Sequence, residues 1–141
     1  MALKATKAEV WAVTVDDRAG GLANRLEALA GAGADFEMVF ARRTPEAAGQ
    51  GVLFVTPLKG AKAQRAAAAL GMGKPPSIHS VRVEGGDKPG LGAKIARTLG
   101  DAGVSFRGLS AIAVGKKFVS YLALDNAEDA DRAIRAIRRI S

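Results

Sequence analysis

An internal repeat constrains this chain more than any other feature. At an offset of 70 residues, Asp17, Gly20, Ala23, Leu29, Ala32, Gly33 and Phe36 coincide with Asp87, Gly90, Ala93, Leu99, Ala102, Gly103 and Phe106. Seven identities in a window of twenty stand against about one or two for ordinary composition. Glycine recurs at the turn and at the end of the helical run that follows it, so the backbone plan is shared and not only the composition. The repeat is centred on Asp87-Lys88-Pro89-Gly90-Leu91-Gly92, between an extended run at 78–84 and a helical run at 91–102. A degenerate copy is Asp17-Arg18-Ala19-Gly20-Gly21-Leu22. Pro89 suits the start of a helix and Gly90 permits close backbone approach. The free N–H groups of the first helical turn then face whatever lies above the loop and favour an anion.

Read in order, residues 1–7 have no clear period and are expected to fray. Residues 10–15 read as a strand. Leu22, Leu26 and Leu29 recur at helical spacing, and Gly31 and Gly33 punctuate the helix end. Residues 34–41 alternate, with Phe36, Met38 and Phe40 on one face and Asp35 and Glu37 on the other. A loop at 42–51 leads to a strand at 52–56, stopped by Pro57. An alanine-rich helix at 61–70 turns Ala63, Ala66, Ala67 and Leu70 inward, and 71–77 is a linker. The second copy repeats the plan. A strand at 78–84 buries Val81 and Val83, and a helix carries Leu91, Ile95, Leu99 and Ala102. A strand at 104–114 turns through Gly115-Lys116-Lys117 into a strand at 118–124. Asn126 caps a last helix, with Asp129 three residues on, whose buried face is Ala130, Ala133, Ile134 and Ile137.

Each repeat is therefore β-α-β-β-α. The class is α+β, with two ferredoxin-like units, antiparallel sheets and helices on one face. The boundaries expected are 1–73 and 74–141. A closing strand is missing from both copies, so the first repeat's last strand is expected to be very short, or the linker strand to be shared.

The 141 residues include no cysteine, which excludes disulfides, thiolate metal sites and a cysteine nucleophile. No apolar run approaches the roughly 20 residues of a membrane span and the N-terminus has no signal-peptide pattern, so a cytoplasmic location is expected. The formal charge of +7 is compatible with an anionic partner, but the basic residues are dispersed and also serve solubility. His79 is the only histidine and reads as a strand residue, since a base needs a nucleophile or metal within reach. No Cys/His cluster, Ser-His-Asp grouping or phosphate loop argues for catalysis, a metal or a cofactor. The glycines of 90–92 do not make a dinucleotide loop, because Ile95 occupies the third glycine's place.

Asp87-Lys88-Pro89-Gly90-Leu91-Gly92-Ala93, followed by Ile95, Leu99 and Ala102-Gly103-Val104-Ser105-Phe106, resembles the signature of the ACT domain. The first repeat resembles it less closely, with Ala19 for the proline and Arg25 for an aliphatic residue. The resemblance spans nearly the whole chain. It implies a regulatory module that binds an amino acid between two copies lying side by side. It places ligand contacts at Asp17, Gly20, Gly21 and Leu22 in one loop, and at Asp87, Pro89, Gly90 and Leu91 in the other. Asp35 and Ser105 hold the polar position early in the second strand. The family often has Asn at such sites, whereas this chain has Asp17, Asp87, Asp35 and Ser105. A ligand carboxylate would be drawn by the helix N-termini and by Lys88 or Arg18, and an ammonium group by the aspartates. The expected protein is a stand-alone tandem regulator, not an enzyme, associating as a homodimer through sheet edges or helices, with an enzyme of unspecified identity as the partner it would regulate.

Plainer roles compete at every position. Asp17 and Asp87 can simply cap their helices, Gly20 and Gly90 can be turn glycines, and Asp35 and Ser105 can be solvated strand residues. Two other functions stay open. One is a ligand-free oligomerisation module using unpaired sheet edges. The other is an RNA-binding module of the same element order, since 115–121 partly fits its stacking strand through Phe118 and Tyr121. Lys116 at the second stacking position, and valines on the first strand, weigh against nucleic acid.

Overall fold

A computed structural model describes residues 3–140. The elements in chain order are β1 (Lys4–Ala8), β2 (Trp11–Asp16), α1 (Gly21–Gly31), β3 (Met38–Arg43), β4 (Gln50–Thr56), α2 (Ala61–Ala69), β5 (His79–Gly86), α3 (Leu91–Asp101), β6 (Gly108–Val114), β7 (Lys117–Leu124) and α4 (Ala127–Arg138). They form two compact units. One is continuous, Glu9–Pro75; the other is discontinuous, joining the segment that ends at Ala8 to the chain from Pro76 onward. Each is a ferredoxin-like α+β unit with an antiparallel sheet.

In the discontinuous unit the sheet order is β1-β5-β7-β6. Alternation decides its faces. Val81 and Val83 of β5, and Phe118, Leu122 and Leu124 of β7, are buried in one cluster with Leu91, Ile95 and Leu99 of α3 and Ala130, Ala133, Ile134 and Ile137 of α4. Both helices thus pack on one face of the sheet. The i, i+4 spacing of the α3 leucines and isoleucine makes the stripe that meets it. Ser120 is the buried polar residue here, and its hydroxyl donates to the Ser110 carbonyl at 2.8 Å, which removes the penalty of burying it unbonded. Asn126 caps α4 as expected, accepting from the Asp129 amide at 2.8 Å.

The closing strand of this unit is β1. Lys4–Ala8 pairs antiparallel with β5, from Lys4 opposite Glu84 to Ala8 opposite Ser80. The expectation of a frayed segment over 1–7 is therefore overturned for residues 4–7, while residues 1 and 2 lie outside the described residues. The five residues carry one buried apolar side chain, Ala5, so their own pattern is too weak to announce a strand. Tertiary partners supply what propensity does not. Leu3 and Ala5 enter the core, Arg138 donates to the Ala5 carbonyl at 3.0 Å, and Lys7 pairs with Asp131 at 3.0 Å.

In the continuous unit the order is β2-β4-β3. Its closing strand is reduced to one bridge on the free edge of β2. Ala12 and Gly73 exchange N–H···O bonds of 2.8 and 3.1 Å, so the very short last strand expected from the sequence is observed. The core is smaller: Val15, Leu29, Leu53, Val55, Leu58, Ala63, Ala67 and Met72, with Ala66 and Leu70 packed at its margin. An alanine face on α2 brings that helix close but contributes little apolar area.

Candidate functional site

The two strand-to-helix loops have the same backbone. Gly20 and Gly90 precede α1 and α3 with φ of 83° and 81°, the left-handed region that a residue with a Cβ resists. Neither helix has a side-chain cap or an acidic residue in its first turn. The capping role available to Asp17 and Asp87 is therefore not used; the glycines hold that position. The Gly21 and Leu91 N–H groups donate back to the carbonyls of Arg18 and Lys88, at 3.1 and 3.2 Å. Both loops are also anchored to the hairpin of their own sheet, through Asp17 N–H to the Gly49 carbonyl (2.9 Å) and Asp87 N–H to the Lys116 carbonyl (2.8 Å).

Their side chains differ. Arg43 pairs with the Asp17 carboxylate at 2.9 Å. Asp87, Lys88 and Pro89 are exposed, and among the described residues the Asp87 carboxylate has no ion pair. The hairpins differ too. Between β3 and β4 the connection runs over 44–49, whereas Gly115-Lys116 alone joins β6 to β7. Gly21 is buried, and a Cβ there would meet the Asp16 carbonyl at 2.7 Å; the matching residue, Leu91, is instead a core side chain. Leu22 is half-buried against its own core.

Arg25 shows the largest divergence. It occupies the position of Ile95, which is 1% exposed. Arg25 is half-buried, donates from one terminal nitrogen to the Gly21 carbonyl at 3.1 Å, and keeps its Nε buried without an acceptor. The sequence marked the residue as a departure from the family signature, but not the orphaned donor.

Asp35 and Ser105 are not on strands, as expected from alternation, but in the connections that precede them. The helix ends explain the delay. Gly33 (φ 87°) and Gly103 (φ 72°) close Schellman turns, with Ala34 N–H to the Leu29 carbonyl at 3.1 Å and Val104 N–H to the Leu99 carbonyl at 2.9 Å. The chain then crosses back to the sheet before pairing starts at Met38 and Gly108. Asp35 and Ser105 are exposed, while Phe36 and Phe106 pack against their cores. Each helix has eleven residues, about 16 Å of axis. Asp35 therefore lies at the opposite end of α1 from Asp17, and Ser105 at the opposite end of α3 from Asp87. No single unit gathers its loop and its strand-entry residue at one point.

The RNA-binding pattern is inverted. That pattern puts Phe118 on the open face of the sheet and Tyr121 in the core. Phe118 is 6% exposed in the helix-facing core, and Tyr121, three residues on, must face the other way. There Tyr121 lies opposite Arg82 and hydrogen-bonds to it. Arg82 also pairs with Glu84 at 3.1 Å, and Lys117 reaches Glu84 at 3.4 Å. Hydrogen bonding from Arg82 holds the Glu84 carboxyl below its ordinary range, with Lys117 adding to the effect. Among the described residues no helix is long and apolar enough to cross a membrane, and no group of three or more His, Asp or Glu could hold a metal ion.

No protein-family profile matches the sequence, and no curated protein matches it. Solved structures do. A protein of Bacteroides thetaiotaomicron superposes with a TM-score of 0.77 at 17% identity, covering 93% of this chain and 88% of that one. The ligand-free regulatory subunit of aspartate kinase from Thermus thermophilus gives 0.64 at 21% identity, over 97% of this chain and 95% of that one. Aspartokinase III of E. coli, solved with aspartate and ADP, gives 0.59 at 15% identity, over 96% of this chain but 32% of the enzyme. The fold is that of such regulatory subunits, in agreement with the ACT-like architecture read from the sequence.

Proposed function

We propose that this chain is a regulatory protein that binds a free amino acid, without catalytic activity, at the loop joining β5 to α3. The reading rests above all on Asp87: an exposed carboxylate without an ion-pair partner among the described residues, beside a helix start that no side chain caps. An ammonium group would pair with Asp87, and a carboxylate would accept from the free amides of the first turn of α3 and from Lys88. Pro89, Gly90 and Leu91 hold that turn in shape. Ser105 would contribute only from another copy of the unit. The corresponding loop, with Gly20, Gly21 and Leu22, offers the same backbone, but Arg43 already neutralises Asp17. Asp35 is the matching strand-entry residue. Two proteins of like fold are regulatory subunits of aspartate kinase, which supports regulation of an enzyme; a soluble, cytoplasmic setting is part of the same reading.

The test is a thermal-shift panel of free amino acids on the whole chain. A ligand present at 100 times its Kd adds about 2.7 kcal/mol to folding stability. One or a few amino acids should raise Tm; Asp87→Asn should abolish the shift and Asp17→Asn leave most of it. No shift from any amino acid would remove this reading and favour ligand-free oligomerisation.

A further inference from the structure

Charge is divided unevenly along this chain. The continuous unit holds eight basic and seven acidic residues, whereas the discontinuous unit holds thirteen basic and seven acidic, so almost all of the formal +7 belongs to it. Within that unit the charges are also sorted by position. One end is formed by the loop at 87–90, the Gly115-Lys116 hairpin, the start of β1 and the C-terminus of α4. There the Asp87 N–H donates to the Lys116 carbonyl, Lys4 stands opposite Glu84, and Arg138 reaches the Ala5 carbonyl. The other end is formed by the C-terminus of α3, the connection after β7 and the first turn of α4. Five of the seven acids, Asp101, Asp125, Glu128, Asp129 and Asp131, are at that second end, and Arg97, Arg107, Arg132 and Lys7 neutralise four of them. The first end, besides Lys88, exposes Lys4, Lys116, Lys117, Arg135, Arg138 and Arg139. Of these six, among the described residues, only Lys117 has an ion pair, with Glu84. The dipole of α4 favours arginines at its end and an edge strand favours Lys4, but neither reason extends to the hairpin lysines or to the gathering of acids at the far end.

We propose that this basic end binds the phosphate backbone of double-stranded DNA. Lys4 and Lys117 lie on strands with β5 between them, about 10 Å across. Duplex DNA carries about six phosphates over that length, so several phosphates come within reach of the six cations at once. A single strand would need exposed rings on which its bases stack, and Phe118, beside Lys117, is buried in the core. RNA is told from DNA by its ribose 2′-OH, and the segments 87–90, 114–117 and 135–139 contain no Ser, Thr, Asn or Gln to engage one. Val114 is the large hydrophobic residue exposed at the hairpin, too little apolar surface to anchor in a bilayer. Contacts from Lys and Arg to phosphate fix position and carry no sequence information. The proposal does not depend on the amino-acid reading, and no residue replaced in its test lies in the loop at 87–91.

The test is fluorescence anisotropy of a labelled DNA duplex titrated with the full chain over a range of salt. Affinity should fall with salt with a log–log slope of about −4, as four or five phosphates release their counterions. Lys116→Ala, Arg135→Ala and Arg139→Ala together should flatten that slope by about 3 and weaken binding at low salt about tenfold or more. Arg97→Ala, Arg107→Ala and Arg132→Ala together remove as much charge from the other end and should leave the slope nearly unchanged. No binding of the duplex at low salt, or equal losses from the two triple variants, would overturn the proposal. So would binding of single-stranded RNA, polyglutamate or anionic phospholipid vesicles as tight as that of the duplex.

Discussion

The two repeats began from one backbone plan and have been completed differently. Among the described residues, the discontinuous unit has four strands, a core of sixteen buried apolar residues and an isoleucine under its first helix; the continuous unit has three strands, eight buried core residues and an arginine there. The same elbow glycine precedes both helices, with nearly the same φ. Conservation of the turn alongside divergence of the packing separates two requirements. Both of these loops keep the left-handed elbow, whereas the layer beneath tolerates substitution as long as some core remains. The difference also separates the loops chemically, since one aspartate is tied to Arg43 and the other is not.

The sharpest way to break the contrast is to remove the strand that one unit has and the other lacks. Deleting residues 1–8 takes Leu3 and Ala5 out of the core and uncovers β5; the loss should be about 3 kcal/mol or more. Hydrogen exchange would show it as lost protection across β5 and α4. Trp11, in the continuous unit, gives a separate fluorescence signal whose transition should move less.

Exchanging the residues beneath the helices is next in size. Ile95→Ala empties a fully buried site and should cost about 2–5 kcal/mol. Arg25→Ile, the reverse type of change, removes an unbonded buried donor and should be neutral or stabilising by about 1 kcal/mol. Denaturant titration of the two variants checks both signs; a strongly destabilised Arg25→Ile would mean that the guanidinium is held by more than the Gly21 carbonyl.

Smaller effects follow at a helix start and in a charge cluster. α4 has a side-chain cap and α1 and α3 do not, so Asn126→Ala should cost about 1 kcal/mol. Asp17→Ala and Asp87→Ala should leave helix stability nearly unchanged, measurable by thermal melts. Glu84 titrates below its ordinary range because Arg82 bonds to its ionised form. A depressed folded pKa contributes stability above the unfolded value and loses it as pH falls through the folded one. Acid should therefore erode the discontinuous unit slightly below the normal carboxylate range, and Glu84→Gln should remove that part of the pH dependence.

Much of the architecture was legible in the chain because its causes are local. Alternation placed β5 and β7, spacing placed α3 and α4, and glycine marked the helix ends. The capping by Asn126 followed from two residues. Three things were not legible, each because a distant partner decides it. Lys4–Ala8 is a strand only because β5 has an open edge and α4 supplies Arg138 and Asp131. Asp17 loses its free charge to Arg43, 26 positions away. Asp35 and Ser105 fall outside their strands because pairing with β4 and β7, which come later in the chain, begins only at Met38 and Gly108.

The sequence alone established that one β-α-β-β-α plan occurs twice, since glycine placement and apolar periodicity are properties of neighbouring residues. Tertiary structure decided which segment closes each sheet and which aspartate keeps an unpaired charge. Strand pairing and ion pairing depend on what lies within a few ångströms in space, and that distance is not encoded in position along the chain.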